Sequence, residues 1–284
     1  MKGLLNINKP KGFTSQDVVS VVRKILKTRE VGHMGTLDPQ GEGVLLVGIG
    51  KGARLFDLML KKDKVYLAEF DFGYETDTLD GDGNEVERTD IIPSKEQLED
   101  KCKEFIGECN QIPPKYSAKN INGRRAYDLA REGKEFTLKA CPIVIYDLRL
   151  VCQTGENKYM FRIHCSGGTY IRSICRDLAY TFNSLATMTS IKRLNCGHFA
   201  VEDSITLSTL ETLKETAIIP LEKVLEPLYR LDLPDSFYRK LCNGIKPEID
   251  EKIEEPFTVY CKNELFGIGE VVEGKIRIRT YLKD

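Results

Sequence analysis

A glycine-rich segment near the N-terminus, VGHMGTLDPQGEGV at 31–44, restricts how the surrounding chain can fold. Pro39 disfavours the helical conformation at Asp38 and pushes its backbone toward an extended conformation. The neighbouring glycines permit close approach of another backbone or of a ligand. We therefore expect a helix to end before this segment and a buried strand to follow it, with Asp38 on the loop between them.

The residues around Asp38 leave two interpretations open. An aspartate in such a stretch commonly makes a local turn hydrogen bond. The same position also suits an exposed carboxylate that takes part in catalysis. Composition alone favours the turn, so Asp38 is a candidate that needs support from other parts of the chain.

The bulk composition is that of an ordinary soluble protein. The chain has 284 residues, of which 41% are hydrophobic and 30% are charged, so one large domain or two unequal ones are expected. No apolar run approaches the roughly 18 residues that a membrane span needs. The N-terminal apolar segment is too short for a signal peptide. These features predict a cytoplasmic protein with no membrane partner.

The cysteines and acidic residues do not predict a metal site. The nine cysteines are an odd number and include no C-x-x-C, which fits reduced thiols. Cys196-Gly-His198 has no second pair at zinc-finger spacing. The acidic stretch ETDTLDGDGNEVE resembles a calcium loop, but counting from Asp80 puts Glu85 at the glycine position. We interpret this stretch as a solvated connection.

A formal net charge of −1 argues against a protein that coats nucleic acid over its whole surface. A local stripe of Lys and Arg would still suffice to bind phosphates. The candidates are Lys9 with Lys11, Lys61-Lys62 with Lys64, Lys115 with Lys119, Arg124-Arg125, Arg172 with Arg176, and Lys192-Arg193.

Local patterns predict an alternation of helices and strands. Thr14 and Asp17 predict a capping box at the start of a helix. The alternating stretch 64–74 predicts a strand, and a strand pair is expected at roughly 141–151 and 158–165. After about residue 229 the composition changes and three short strands are expected. A boundary therefore falls near 220–232.

A dinucleotide site is the main alternative suggested by a glycine pattern. Gly48-x-Gly50-x-x-Ala53 follows a predicted strand, and an acidic residue, Glu69 or Asp71, lies near the expected spacing. However, this is the third structural unit of the chain and the helix that follows is short. A tight strand-to-helix turn explains the same glycines.

Five motifs occur together and in order: GHMGTLDPQGEGVL, KVYLAEF, TDTLDGDG, IPPKYSAKNINGRRAYDLAREG and CSGGTYIRSI. Over residues 1 to about 200 the chain thereby resembles the TruB family of tRNA pseudouridine synthases, which modify uridine 55 of the T-loop. The resemblance implies an α+β fold with a mixed, largely antiparallel sheet. It also implies a catalytic domain at 1–228, a thumb-loop insertion at about 111–133, and a small β-rich PUA-like domain at 229–284.

The resemblance also implies roles for individual residues. Asp38 matches the catalytic aspartate, and Arg172 matches the arginine that pairs with it. Tyr66 matches the tyrosine that stacks on the flipped base and is expected to help move its proton. Tyr170 and Ile191 match positions in the pocket wall. His33 matches the residue that fits into the space vacated within the T-loop. The reaction exchanges no atoms with a cosubstrate, so no cofactor is expected.

Partners follow from the same comparison of motifs. The expected partner is tRNA, bound at its T-arm through the thumb loop and at its acceptor stem through the C-terminal domain, by a monomer with no protein partner. Two rivals are a tRNA chaperone acting on the elbow region and a guide-RNA-type synthase core, whose members lack the thumb loop. The chain departs from the family at Gly167, where lysine is usual, and at Ile191-Lys192-Arg193, where Leu-Arg-Arg is usual.

Overall fold

The computed structural model describes residues 1–121, 123–249 and 252–283, which form an α+β fold with one large sheet and a separate C-terminal sheet. The helices are α1 (Ser15–Leu26), α2 (Phe56–Lys61), α3 (Lys95–Glu104), α4 (Ala126–Arg131), α5 (Ile171–Tyr180), α6 (Leu207–Leu213), α7 (Leu221–Val224) and α8 (Tyr238–Cys242). Short 3-10 turns cover Gly50–Leu55, Lys214–Ala217 and Asp235–Phe237.

The strands of the first two-thirds of the chain are β1 (Gly3–Lys9), β2 (Val31–His33), β3 (Glu42–Ile49), β4 (Lys64–Phe72), β5 (Tyr74–Thr76), β6 (Glu85–Arg88), β7 (Gly107–Gln111), β8 (Asn120–Ile121), β9 (Arg124–Arg125), β10 (Cys141–Gln153), β11 (Lys158–Cys165), β12 (Ala186–Cys196) and β13 (Phe199–Ala200). The C-terminal strands are β14 (Arg230–Leu233), β15 (Phe257–Cys261), β16 (Glu264–Val272) and β17 (Lys275–Tyr281).

The large sheet has the order β1-β3-β12-β4-β11-β10-β7, with β2 beside β3 and β13 beside β12. Its pairs are antiparallel except for β3 and β12, which run parallel where Glu42 and Gly43 face Lys192 and Arg193. The predicted mixed, largely antiparallel sheet is therefore confirmed. The parallel pair brings the end of the glycine-rich segment against the middle of the sheet.

Helix α1 begins as its sequence predicts. Thr14 accepts a hydrogen bond from the amide of Asp17, and the Asp17 carboxylate accepts one from the amide of Thr14, which completes the capping box. The helix buries Val18 and Val22 against the sheet. Each such buried side chain contributes roughly 1.5–3 kcal/mol. Packing of this face fixes the chain that leads into the glycine-rich segment.

A second apolar core packs α3 and α5 against β4 and β11. Phe70 and Phe161 stack at 4.7 Å within it, and α5 contributes Ile174 and Leu178 to the same cluster. These buried side chains fix the rotation of α5 about its axis. The first turn of α5 therefore holds Arg172 in a defined direction.

Three local interpretations of the sequence were wrong. The segment predicted as a loop contains β2, because its first residues pair with β3. The acidic stretch is not simply a solvated connection, since β5 and β6 pair as a hairpin and Asp80 between them is largely buried. The C-terminal sheet has a fourth strand, β14, which pairs in parallel with β15 and so depends on a partner distant in sequence.

The C-terminal sheet has the order β14-β15-β16-β17 and packs against the rest of the chain. Its Leu265 and Leu282 share an apolar cluster with Leu4 and Leu221. The domain division at 228 and 229 stays a prediction. No helix of the described residues is long and apolar enough to cross a membrane.

Candidate active site

A cavity of about 1400 Å³ opens where the Asp38 loop, β4, β12, the start of α5 and the segment around 116–131 meet. Five of the six residues singled out in the sequence line it, namely Asp38, Tyr66, Tyr170, Arg172 and Ile191. The sixth, His33, lies on β2 outside this lining, and burial lowers its pKa. The fold therefore brings together side chains from four separate parts of the chain.

Asp38 and Arg172 form an ion pair in this cavity. The Nε of Arg172 lies 3.2 Å from Oδ2 of Asp38, and its Nη2 lies 3.4 Å from Oδ1. Arg172 is buried, whereas the Asp38 side chain keeps 35% of its surface exposed. Two charge-assisted contacts from one planar guanidinium fix the orientation of the carboxylate. Asp38 is thus paired, fixed in direction and still open to a ligand.

Arg172 also binds a second carboxylate that the sequence analysis missed. Its Nη1 lies 3.1 Å from Oδ2 of Asp80 and donates to the carbonyl of Thr78 at 3.0 Å. Its Nη2 donates to the carbonyl of Tyr116 at 3.2 Å. One guanidinium therefore joins the Asp38 loop, the acidic hairpin and the segment around Tyr116. The TDTLDGDG motif was the available signal, but its acidity favoured a solvated interpretation.

Two further groups hold the backbone on either side of Asp38. The hydroxyl of Ser15 accepts from the amide of Leu37 at 2.9 Å and donates to its carbonyl at 3.1 Å. The Lys9 ammonium donates to the carbonyls of Pro39, Pro10 and Phe13. Asp38 therefore projects from a loop whose neighbouring residues are fixed.

Gly43 explains why the Asp38 segment needs one of its glycines. It has φ +96°, and a Cβ at this position would lie 2.2 Å from the carbonyl oxygen of Arg193. A side chain there would push β3 away from β12. The glycine thus permits the parallel contact that sets the Asp38 loop beside Arg193.

Four of the expected basic surface residues, Lys9, Lys64, Arg172 and Arg193, are buried instead, and two of them lie close to Asp38 without pairing with it. Lys9 is fully buried and Arg193 is 4% exposed, so neither belongs to a surface stripe. Each donates to backbone carbonyls, which compensates for part of its lost hydration. Their charges act inside the site, close to Asp38, and not at the outer surface.

The buried Lys9 predicts a pH dependence of stability. Burial lowers its pKa from 10.5 to about 8. The unfolded chain therefore binds this proton more tightly than the folded protein does. Raising the pH from about 8 to 10.5 removes the proton from the folded protein and with it the cost of burying the charge. We expect the unfolding free energy of the wild type, relative to Lys9→Met, to rise by roughly 1–3 kcal/mol between about pH 8 and 10.5.

Urea denaturation of both proteins at a series of pH values measures this difference, and titrations common to both proteins cancel. A difference that stays level or falls with rising pH would contradict the buried position of the ammonium group.

Tyr66 lies on β4 directly opposite Arg193 on β12. The Nε of Arg193 donates to the Tyr66 hydroxyl oxygen at 3.3 Å. Burial raises the pKa of Tyr66 to about 12, and the charge of Arg193 acts in the opposite direction. Tyr66 lies on β4 and Ile191 lies on β12, and these two strands pair in the middle of the sheet. The two side chains therefore form a rigid part of the cavity wall.

The predicted thumb loop, about 111–133, contributes to the same cavity, although Asn122 lies outside the described residues. Gln111, the first residue of this loop, exchanges two hydrogen bonds with the backbone of Tyr170, at 2.8 and 3.0 Å, and so fixes the start of the loop. Tyr116 meets Tyr127 edge to face at 6.1 Å, and Arg131 lies over the Tyr127 ring at 4.8 Å. This part of the cavity is therefore aromatic and basic, which suits a nucleic acid.

Gly167 replaces the usual lysine of the resembled motif, and its surroundings leave no room for a side chain. A Cβ there would lie 2.1 Å from the carbonyl oxygen of Leu60. We expect Gly167→Lys and Gly167→Ala each to lower the unfolding free energy by about 1–3 kcal/mol. In Gly155→Ala, the matched control, the new Cβ would approach only the flexible side chain of Lys158, at 3.3 Å.

Thermal unfolding of the three variants compares these costs. A Gly167→Lys protein as stable as the Gly155→Ala protein would contradict the close approach of Leu60.

The glycines of the suggested dinucleotide pattern have structural partners. A Cβ at Gly48 would lie 2.7 Å from the backbone of Ala53, and one at Gly50, which has φ +54°, would lie 2.5 Å from the carbonyl oxygen of Met1. Close packing of the 3-10 turn thus accounts for both residues. Within the described residues, no group of three or more His, Cys, Asp or Glu side chains is placed to hold a metal ion.

The sequence of the chain is similar to those of known proteins. Residues 23–171 match the family model for the N-terminal domain of TruB family pseudouridylate synthases. A tRNA pseudouridine synthase B of Clostridium kluyveri is 40% identical over 279 residues, covering 95% of each chain. One of Borreliella afzelii is 41% identical over 254 residues, covering 89% of each chain.

Solved structures share the fold. A chain from a Cbf5-Nop10-Gar1 complex has a TM-score of 0.72 at 25% identity, covering 98% of this chain and 79% of that one. A chain from an H/ACA RNP bound to a substrate RNA containing 2′-deoxyuridine has a TM-score of 0.71 at 23% identity, covering 98% and 84%.

Proposed function

The chain belongs to the TruB family of pseudouridylate synthases, and from this premise we propose that it isomerises uridine to pseudouridine in tRNA, at position 55 of the T-loop. The observation that carries the proposal is the Asp38–Arg172 ion pair inside a cavity that Tyr66 also lines. Two of the relatives named tRNA pseudouridine synthase B align over nearly the whole chain, which supports tRNA as the substrate class.

The reaction breaks the bond from uracil N1 to ribose C1′, turns the base, and joins C5 to C1′. Positive charge develops at C1′ when the first bond breaks, and an ionised carboxylate stabilises it or bonds to carbon transiently. Asp38 has the required charge, accessibility and fixed position. No atom enters or leaves overall, so the chemistry is that of an isomerase.

The target uridine must leave the stacked loop to reach Asp38, which costs a few kcal/mol. Tyr66 supplies a ring, and Ile191 supplies an apolar surface, for the extruded base. The cavity, at about 1400 Å³, has room for neighbouring nucleotides as well. We assign His33 to the T-loop itself, which agrees with its place outside the cavity lining.

The thumb loop favours direct tRNA binding over a guide-RNA-type core, because it adds basic and aromatic residues to the cavity rim. Lys119, Arg125 and Arg131 all line the cavity from this segment. The C-terminal sheet, proposed as a PUA-like domain over 229–284, presents exposed Arg277 and Arg279 on β17. We assign it to the acceptor stem, where basic side chains contact phosphates.

A tRNA chaperone acting on the elbow region would use the same surface without chemistry. The Asp80–Arg172–Asp38 network argues for catalysis, because a surface that only binds phosphates gains nothing from two carboxylates paired with one of its guanidinium groups.

Mapping pseudouridine in unmodified tRNA transcripts after incubation with the purified protein tests the proposal. We expect modification at the T-loop uridine and at no other uridine of the transcript. Steep weakening of tRNA binding by salt should accompany it. Modification at another position would contradict the T-loop assignment, and no modification at all would contradict the enzymatic function.

A further inference from the structure

Arg193 is a buried cation whose contacts the family comparison does not explain. It is 4% exposed, and none of the carboxylates in the described part of the chain forms an ion pair with it. Its Nη2 donates to the carbonyl of Thr36 at 2.8 Å, and its Nη1 donates to that of Val44 at 3.1 Å. Its Nε donates to the Tyr66 hydroxyl oxygen at 3.3 Å. Burying an unpaired charge is costly, so this placement needs a reason.

The contact with Tyr66 fixes the direction of a proton. A guanidinium has donors and no acceptor, so the Tyr66 oxygen must be the acceptor in this bond. The Tyr66 hydroxyl hydrogen therefore points away from Arg193. No acceptor for it is found among the described residues, and Tyr66 lines the cavity. The hydroxyl hydrogen is thus free to face a base bound in the cavity.

Isomerisation requires a proton to move between two atoms on one edge of the base. Once C5 has bonded to C1′, it carries its hydrogen and the new bond together, while N1 lacks a proton. The product is complete when C5 loses its proton and N1 gains one. N1 and C5 are both bonded to C6, so a single oxygen facing that edge reaches both atoms.

We propose that Arg193 is a positioning residue that holds Tyr66 so that its hydroxyl passes a proton from C5 to N1 of the bound base. This inference rests on the proposed function. The hydroxyl proton goes to N1, the tyrosine oxygen takes the proton from C5, and Tyr66 ends as it began. No outside acid, base or cosubstrate is needed for the balance.

Arg193 also makes such a transfer less costly. Charge on the Tyr66 oxygen is disfavoured by burial and favoured by the adjacent guanidinium. The other ionisable groups that act on this oxygen are Cys165 on β11 and Cys196 on β12, and Lys64 lies two residues before Tyr66 on the same strand. Two of these groups are thiols, and Lys64 donates to three backbone carbonyls. Arg193 is the cation bonded to the tyrosine oxygen itself.

A purely structural role for Arg193 gives a different expectation, because its bonds to Thr36 and Val44 also support the Asp38 loop. A double-mutant cycle with Tyr66→Phe separates the two roles, since phenylalanine removes the hydroxyl and leaves the loop contacts. If Arg193 acts through Tyr66, its loss costs little in the Tyr66→Phe protein. If it acts through the loop, the two losses add.

The experiment measures single-turnover formation of pseudouridine with saturating tRNA, for wild type, Arg193→Gln, Tyr66→Phe and the double variant. We expect Arg193→Gln to slow the reaction by about 10²-fold, the size of a typical acid–base contribution. The double variant should be no slower than Tyr66→Phe. Substrate deuterated at C5 of uridine should react more slowly than unlabelled substrate in Arg193→Gln, because proton removal limits that variant.

Additive losses, or equal rates for labelled and unlabelled substrate in Arg193→Gln, would overturn the inference. Should Arg193→Gln fail to fold, Arg193→Lys keeps the cation and enters the same cycle with the same two criteria. Absence of pseudouridine with the wild type would contradict the proposed function itself. An active wild type with an additive cycle would contradict only the role of Arg193.

Discussion

Asp38→Asn is expected to lower the rate of pseudouridine formation by about 10⁴-fold or more, the scale seen when a group that reacts directly is removed. The amide keeps the shape of the side chain but can neither bond to C1′ nor stabilise positive charge there. Because the side chain is partly exposed and its loop is held by Ser15 and Lys9, the fold should be unaffected. Affinity for tRNA should stay within about tenfold of wild type, since phosphate contacts dominate binding.

Filter binding and single-turnover kinetics on the same tRNA measure the two quantities separately. Asp203→Asn is a matched control, because this aspartate is exposed and outside the cavity lining. It should behave as wild type in both assays. Substantial activity in Asp38→Asn would remove this carboxylate from the chemistry. Equal loss of binding and turnover would indicate a defect in assembly of the site.

Arg172→Ala is expected to cause the second-largest loss, because one guanidinium serves two carboxylates. Asp38 and Asp80 would then face each other without a cation, Asp80 being only 16% exposed. Breaking a buried pair of this kind costs roughly 3 kcal/mol of stability. Turnover should fall by about 10²–10³-fold, as when one electrostatic partner is removed from a reaction centre.

Thermal unfolding and single-turnover kinetics test both parts of this expectation. Arg88→Ala is the control, since Arg88 makes an exposed ion pair with Glu85 that is worth under about 1 kcal/mol. Adding Asp80→Asn to Arg172→Ala should restore part of the stability, because one uncompensated charge disappears. Turnover should not recover, since Asp38 still lacks its partner. A fully active Arg172→Ala protein would show that the ion pair does not serve catalysis.

Much of the fold follows from local sequence. The Thr14 capping box and the alternation of β4 are encoded within a few residues, and both are found where they were predicted. The strand β14 was missed because its pairing with β15 joins segments more than twenty residues apart along the chain. Nothing within RLDL distinguishes a strand from a linker, so its structure is set by its partner.

The site was predictable only in part. The Asp38–Arg172 contact joins residues 134 positions apart, and only the family resemblance connected them. Lys9 and Arg193 were grouped with surface charges because such side chains are rarely fully buried. Their burial follows from carbonyl groups that the tertiary fold turns inward, which no local pattern reveals. Asp80 was missed for the same reason, as its partner lies on a distant helix.

Release of tritium from unmodified tRNA labelled at C5 of uridine tests the central claim most directly, because joining C5 to C1′ must expel that hydrogen. The wild-type protein should release tritium equivalent to one uridine per tRNA, with pseudouridine found at the T-loop position. Asp38→Asn should bind the same tRNA and release none above background. Release by Asp38→Asn at the wild-type rate, or no release by the wild type, would contradict an isomerisation that depends on Asp38.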